Sequence, residues 1–178
     1  MSSDDKSLII MRIFCYVLGT IFLALVIYLI VNQVEKYQHA NDPQLHNLRT
    51  IFRNYFTYDK YQNKTWTKHL KELNHKDKFE IILNIINKSL FRGEKSYTIN
   101  KNKVYLCLKD HKGEYYNTNL LTYVLAHELS HVLCDEIGHT EKFHAIFDQI
   151  LFEMERENLY DASEEVDPSY CELGDYSF

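Results

Sequence analysis

The chain has 178 residues, 46% of them apolar and 25% charged, a mix that suits one globular domain with an appendage and excludes a disordered or fibrous chain. Its net charge of −5 is unevenly laid out: residues 157–178 hold seven acids and no base, which leaves 17 basic and 15 acidic groups in 41–156. No strongly basic face emerges, and this counts against a dedicated nucleic-acid binder.

Ile13 to Val31 runs nineteen residues without a charge. At about 1.5 Å rise per residue it can cross a hydrocarbon core of roughly 30 Å. The run exceeds the roughly 7–15 apolar residues of a signal-peptide core, and no small-x-small site follows closely, so a retained single-pass anchor is expected over a cleaved leader. Arg12 sits at one end and is expected to snorkel to the interface. Lys6 and Arg12 on one side balance Lys36 and Arg49 on the other, so the side of the membrane stays open. Two sequons, at Asn63 and Asn87, are near the number expected by chance.

Beyond the anchor, Asn41-Asp42-Pro43 reads as a helix cap with a first-turn proline, followed by Leu45, Leu48, Ile51, Phe52 and Tyr55 at helical spacing. Thr67–Leu73 is a possible short helix. Asp77 caps another, with Phe79, Ile82, Ile85, Ile86 and Leu90 on one stripe. Phe91 to Glu94 reads as a turn. Ser96–Asn100 and Lys103–Lys109 read as short strands, the second with Val104, Leu106 and Leu108 on one face. A helix is expected from Asn119 until Gly138 offers a stop, and a last one over Glu141–Leu159. The acidic segment 161–178 carries Tyr170, Tyr176 and Phe178, which favour partial packing. The expected architecture is α+β: a flank 1–12, an anchor 13–31, a domain over 41–160 and the tail 161–178.

His127-Glu128-Leu129-Ser130-His131 carries the chemistry. Residues four apart on a helix share a face, so both imidazoles can meet one metal ion. Zinc held at roughly 2.0–2.1 Å would keep an open position for water, with Glu128 placed as general base and acid. A catalytic zinc needs a third protein ligand. Asp135, His139, Glu141 and His144 are candidates. His139 is preferred because the chain can reverse at Gly138, while Asp135, one turn beyond His131, could orient an imidazole instead. Cys15, Cys107, Cys134 and Cys171 lack the spacing of a zinc site or a disulfide framework.

The stretch Tyr123–Leu151, with Gly138-His139-Thr140-Glu141-Lys142-Phe143 after the motif, resembles the zinc peptidases of the WLM and SprT-like group. Val104 to Lys109, Tyr115-Tyr116, Asn119, Asp161 and Tyr170-Cys171 are similar to WLM-type proteins of large DNA viruses. The resemblance covers roughly residues 95–175. It implies a compact zincin-like fold, zinc on His127, His131 and His139, and cleavage of a protein or peptide substrate. Cys134 and Ile137 stand where the metzincin pattern needs Gly and His. Cellular members often act on DNA-linked proteins, yet this chain has an anchor and no basic tail. In such folds a strand edge near the active helix pairs with peptide, and Lys103–Lys109 is the candidate. Tyr123, His144, Tyr160 or Tyr170 could stabilise an oxyanion. A competing expectation is a non-catalytic membrane-anchored protein of a virion, whose zinc is closed by Cys134 or Cys171. A weaker one is a repair peptidase guided by nucleic acid.

Overall fold

A computed structural model describes residues 3–40, 42–57, 75–166 and 170. The chain divides into two units, Met1–Ala40 and Asn41–Phe178. The first contains helix α1 (Ser3–Ala40), of which the 24 residues Met11–Val34, with Arg12 near one end and Asn32 and Gln33 near the other, are long and apolar enough to cross a bilayer.

The second unit is mixed α and β. Helix α2 (Pro43–Tyr55) starts where Asp42 accepts the Gln44 N–H at 2.9 Å and Pro43 fills the first turn. It buries Leu45, Leu48, Phe52 and Tyr55. Helix α3 (His75–Asn84) passes into a π-helical turn, Ile85–Ser89, that leads directly into strand β1 (Leu90–Gly93). Asp77 lies within the first turn of α3 and not before it.

The expected turn at 91–94 is therefore a strand. β1 pairs in parallel with β3 (Lys103–Cys107), from Leu90 opposite Val104 to Gly93 opposite Cys107. Gly93 reads as a turn signal but serves close approach. A Cβ there would meet the Lys95 carbonyl oxygen at 2.8 Å and the Tyr105 Cβ at 3.1 Å. β2 (Tyr97–Ile99) pairs antiparallel with β3 through a turn whose central residues, Asn100 and Lys101, have φ of 49° and 53°. The sheet order is β1-β3-β2. β3 is thus central, against the expectation that Lys103–Lys109 forms an edge, and the edge strands of this sheet are β1 and β2.

Helix α4 (Thr118–Leu133) begins at Asn117, whose side chain accepts the Leu120 N–H at 2.7 Å. It ends four residues before Gly138 could stop it. Two ammonium groups meet carbonyls at and just past its end: Lys78 donates to Val132 O at 2.8 Å, and Lys101 donates to the Cys134 and Glu136 carbonyls beyond the last turn. Cations at a helix C-terminus complement its dipole, and here they come from α3 and the β2–β3 turn. Thr140 then caps α5 (Glu141–Arg156), which ends before Leu159. Twelve residues of α4 are buried, and α5 lays Phe143, Ile146, Phe147, Ile150 and Met154 into the same core. Tyr170 is buried as well, donating to the Cys107 carbonyl at 2.8 Å and lying 2.6 Å from the Ser96 hydroxyl. Thr67–Leu73, Tyr176 and Phe178 lie outside the described residues.

Candidate metal centre

α4 places His127 and His131 one turn apart near its buried end. Gly138, at φ +85°, turns the chain so that His139 returns over the same face. His127 Nε2 lies 3.2 Å from His131 Nε2 and 3.0 Å from His139 Nε2. Two nitrogens on one tetrahedral zinc at 2.0–2.1 Å stand about 3.3–3.4 Å apart. The spacing is therefore that of ligands converging on one ion. Among the described residues, these three histidines form a donor group that could hold a metal ion, with all ligand atoms within 4.8 Å of one another.

The surroundings keep the imidazoles neutral, so their lone pairs are available. Burial, and then the neighbouring histidines, push His127 from 6.5 down to about 3. Burial, His139 and Lys101 push His131 down to about 4, and His139 is lowered by burial and His144. Phe143 supports all three rings. Its centroid lies 4.3 Å from that of His131, 4.8 Å from His139 and 4.9 Å from His127.

Glu128 is buried at 3% exposure, yet it lines the same open cleft of about 630 Å³ as the three histidines. Thr98 on β2 donates its hydroxyl to Glu128 Oε2 at 2.7 Å and also reaches the Glu128 carbonyl at 3.1 Å. A buried carboxylate held by hydroxyl donation and opening on a cleft can exchange a proton with a molecule bound at the imidazoles.

The remaining candidates lie elsewhere. Asp135 is beyond the end of α4, exposed, and paired with Lys142 at 2.7 Å, so it orients no imidazole. Glu141 is in the first turn of α5, and the His144 ring stands 6.2 Å from that of His139. Neither joins the donor group. Tyr123 packs on Phe147 and Tyr160, Tyr170 on Tyr116, and none of Tyr123, His144, Tyr160 and Tyr170 lines the cleft. Cys134 is free, buried and outside the donor group. Cys107 is disulfide-bonded, which the spacing of the cysteines does not signal, and Cys171 lies outside the described residues. Thr98 went unnoticed in the sequence, where nothing marks one threonine of a three-residue strand. Only the packing of β2 against α4 brings it to Glu128.

Comparison with known proteins places the chain among viral relatives. It is 42% identical over 104 residues to uncharacterized protein 136R of Invertebrate iridescent virus 6, covering 53% of this chain and 58% of that protein. It is 39% identical over 93 residues to uncharacterized protein 042R of Invertebrate iridescent virus 3, covering 51% and 58%. It is 42% identical over 82 residues to uncharacterized protein R325 of Acanthamoeba polyphaga mimivirus, covering 44% and 42%. The chain thus spans about half the length of the curated relatives it matches. No protein-family model and no solved structure matches it.

Proposed function

We propose that the chain is a membrane-anchored, zinc-dependent metallopeptidase of zincin-like fold. The observation that carries this is three imidazoles converging at metal-ligand spacing beside a buried carboxylate, all lining one open cleft. His127, His131 and His139 would hold the zinc. When bound, zinc supplies the Lewis acidity that makes water a nucleophile near neutral pH and polarises a peptide carbonyl. Glu128 takes the proton of the attacking water and passes it to the amine that leaves as the C–N bond breaks. Phe143 and the core beneath it hold the rings in place. Thr98 and β2 hold the carboxylate.

Two further observations support a peptide as substrate and a membrane as location. β2 is an edge strand and a wall of the cleft, so an extended peptide can add to it. α1 has the length and composition of a single-pass anchor. Against a purely structural zinc stands Glu128: a site that only ties the fold together has no use for a base beside the metal. Among the described residues, no cysteine joins the three histidines as a closing fourth ligand.

Zinc content and cleavage of labelled casein by the wild type, Glu128→Gln and His139→Ala test the reading. Wild type and His139→Ala should differ in zinc content. Glu128→Gln should keep zinc and lose about 10²–10⁴-fold in turnover. Equal cleavage by wild type and Glu128→Gln rejects the mechanism, and a wild-type protein that takes up no zinc rejects the site.

A further inference from the structure

We propose that Thr98 is a positioning residue for Glu128, fixing the rotamer from which the carboxylate serves as base. This rests on the peptidase reading above and adds to it a residue outside the H-E-x-x-H motif. Glu128 adjoins His127 on α4, where side-chain torsions alone would let its carboxylate swing across the cleft. The Thr98 hydroxyl restricts it: its one hydrogen is shared between Oε2 at 2.7 Å, which restrains the carboxylate, and the backbone carbonyl of the same residue at 3.1 Å, which keeps the hydroxyl beside that residue. The shorter contact has the length of an O–H donor on a carboxylate.

The donor is itself held firmly. Thr98 is the middle residue of β2, opposite Val104 in the ladder, and its neighbour Tyr97 stacks on Tyr105 with centroids 4.9 Å apart and planes 14° from parallel. Threonine is stiff at χ1, so a fixed backbone means a fixed hydroxyl. The β2–β3 turn is tied to the end of α4 by Lys101, which donates to the Cys134 and Glu136 carbonyls. The β hairpin is thereby tied to α4 at the carboxylate and again just beyond the end of the helix, and the base is aligned by the sheet as well as by its own helix.

The experiment uses the full chain in detergent, loaded with zinc, with labelled casein as probe. A purely structural role for Thr98 favours Val, which keeps the β-branched shape, over Ser, which loses it. The positioning role favours the opposite order. Thr98→Val should lower kcat about 10- to 100-fold with zinc content and KM little changed, since displacing a catalytic group by about 1 Å has this effect. Thr98→Ser should stay within about threefold of wild type. Crystal structures of the zinc-free variants give a readout independent of turnover: Glu128 should keep its rotamer in Thr98→Ser and leave it in Thr98→Val.

Full activity in Thr98→Val, or an unmoved Glu128 in its crystals, overturns the proposal. If Thr98→Val does not fold, Thr98→Ser and Thr98→Ala, which differ by one oxygen, decide in its place: equal turnover overturns the proposal. Glu128→Gln run alongside separates the two levels. Wild type no faster than Glu128→Gln removes the peptidase reading and this proposal together, whereas a large loss there with none in Thr98→Val removes this proposal alone.

Discussion

Replacing Phe143 by Ala should weaken both the fold and the grip on metal, by amounts that can be separated. The side chain is fully buried, and its ring lies within 4.3–4.9 Å, centroid to centroid, of all three imidazoles. Truncating a buried Phe to Ala costs about 3–5 kcal/mol through lost burial and the cavity left behind. The upper half of that range is expected, because ring pairs add about 0.5–1.5 kcal/mol beyond area burial and this ring makes four with histidine and one with Phe147. Against a total stability of about 5–15 kcal/mol this is a large fraction. Urea unfolding of residues 41–178 in chelator reads the loss without metal. Zinc competition titration reads the second effect. Groups that orient metal-bound imidazoles are each worth about 10- to 100-fold in affinity, and the same is expected here. Phe143→Leu, which keeps most of the volume, should cost less than about 2 kcal/mol while still weakening zinc binding. A zinc-free Phe143→Ala within 1 kcal/mol of wild type, with unchanged affinity, would refute the idea that this ring supports the site.

Other consequences follow from the same geometry. The zinc-free domain should lose stability as the pH falls below about 6.5. His127 and His131 stay neutral in the fold down to about 3 and about 4, so below 6.5 the unfolded chain binds protons that the fold does not. Chelator-treated urea melts at pH 7 and pH 5 should show this, and His127→Gln with His131→Gln should flatten the slope; an unchanged slope in that double variant contradicts it. Zinc at 100 times its Kd should stabilise the wild type by about 2.7 kcal/mol and His139→Ala far less, as read by the shift of the urea midpoint. Asp42→Ala should cost about 1–2 kcal/mol, since Asp42 caps α2 and also accepts the Tyr115 hydroxyl at 3.0 Å. A double-mutant cycle with Tyr115→Phe isolates the second contact. Thr122→Val should leave stability unchanged or raise it by about 1 kcal/mol, because the fully buried Thr122 hydroxyl has no hydrogen-bond partner among the described residues. A loss of more than 1 kcal/mol on thermal melting would show that the hydroxyl is engaged.

Much of this protein is legible along the chain because the relevant forces are local. Nineteen uncharged apolar positions describe a membrane-length helix by length and composition alone. Asp42-Pro43 starts α2 as expected, and the apolar stripes of α2, α4 and α5 are the faces that turn out buried. The pairing of His127 with His131 needs only helical periodicity. What failed to show were features whose cause lies far off in sequence. β1 reads as a turn in the sequence because its partner β3 is more than ten residues away and Gly93 carries a turn's chemistry. The end of α4 is not legible either, because Lys78 and Lys101, which meet carbonyls at and just past that end, sit on other elements. That β3 is central and not an edge is hidden too, because alternation does not encode strand order.

The amino-acid order by itself determined the membrane-length apolar helix, the apolar stripes of the helices and the placing of His127 and His131 on one helix face, since each depends on spacing within a few turns. Tertiary structure alone decided that His139 and neither Asp135 nor His144 joins the pair, that β2 forms the wall of the cleft, and that Thr98 meets Glu128. Those outcomes depend on how separate elements pack, and packing is set by the whole core at once.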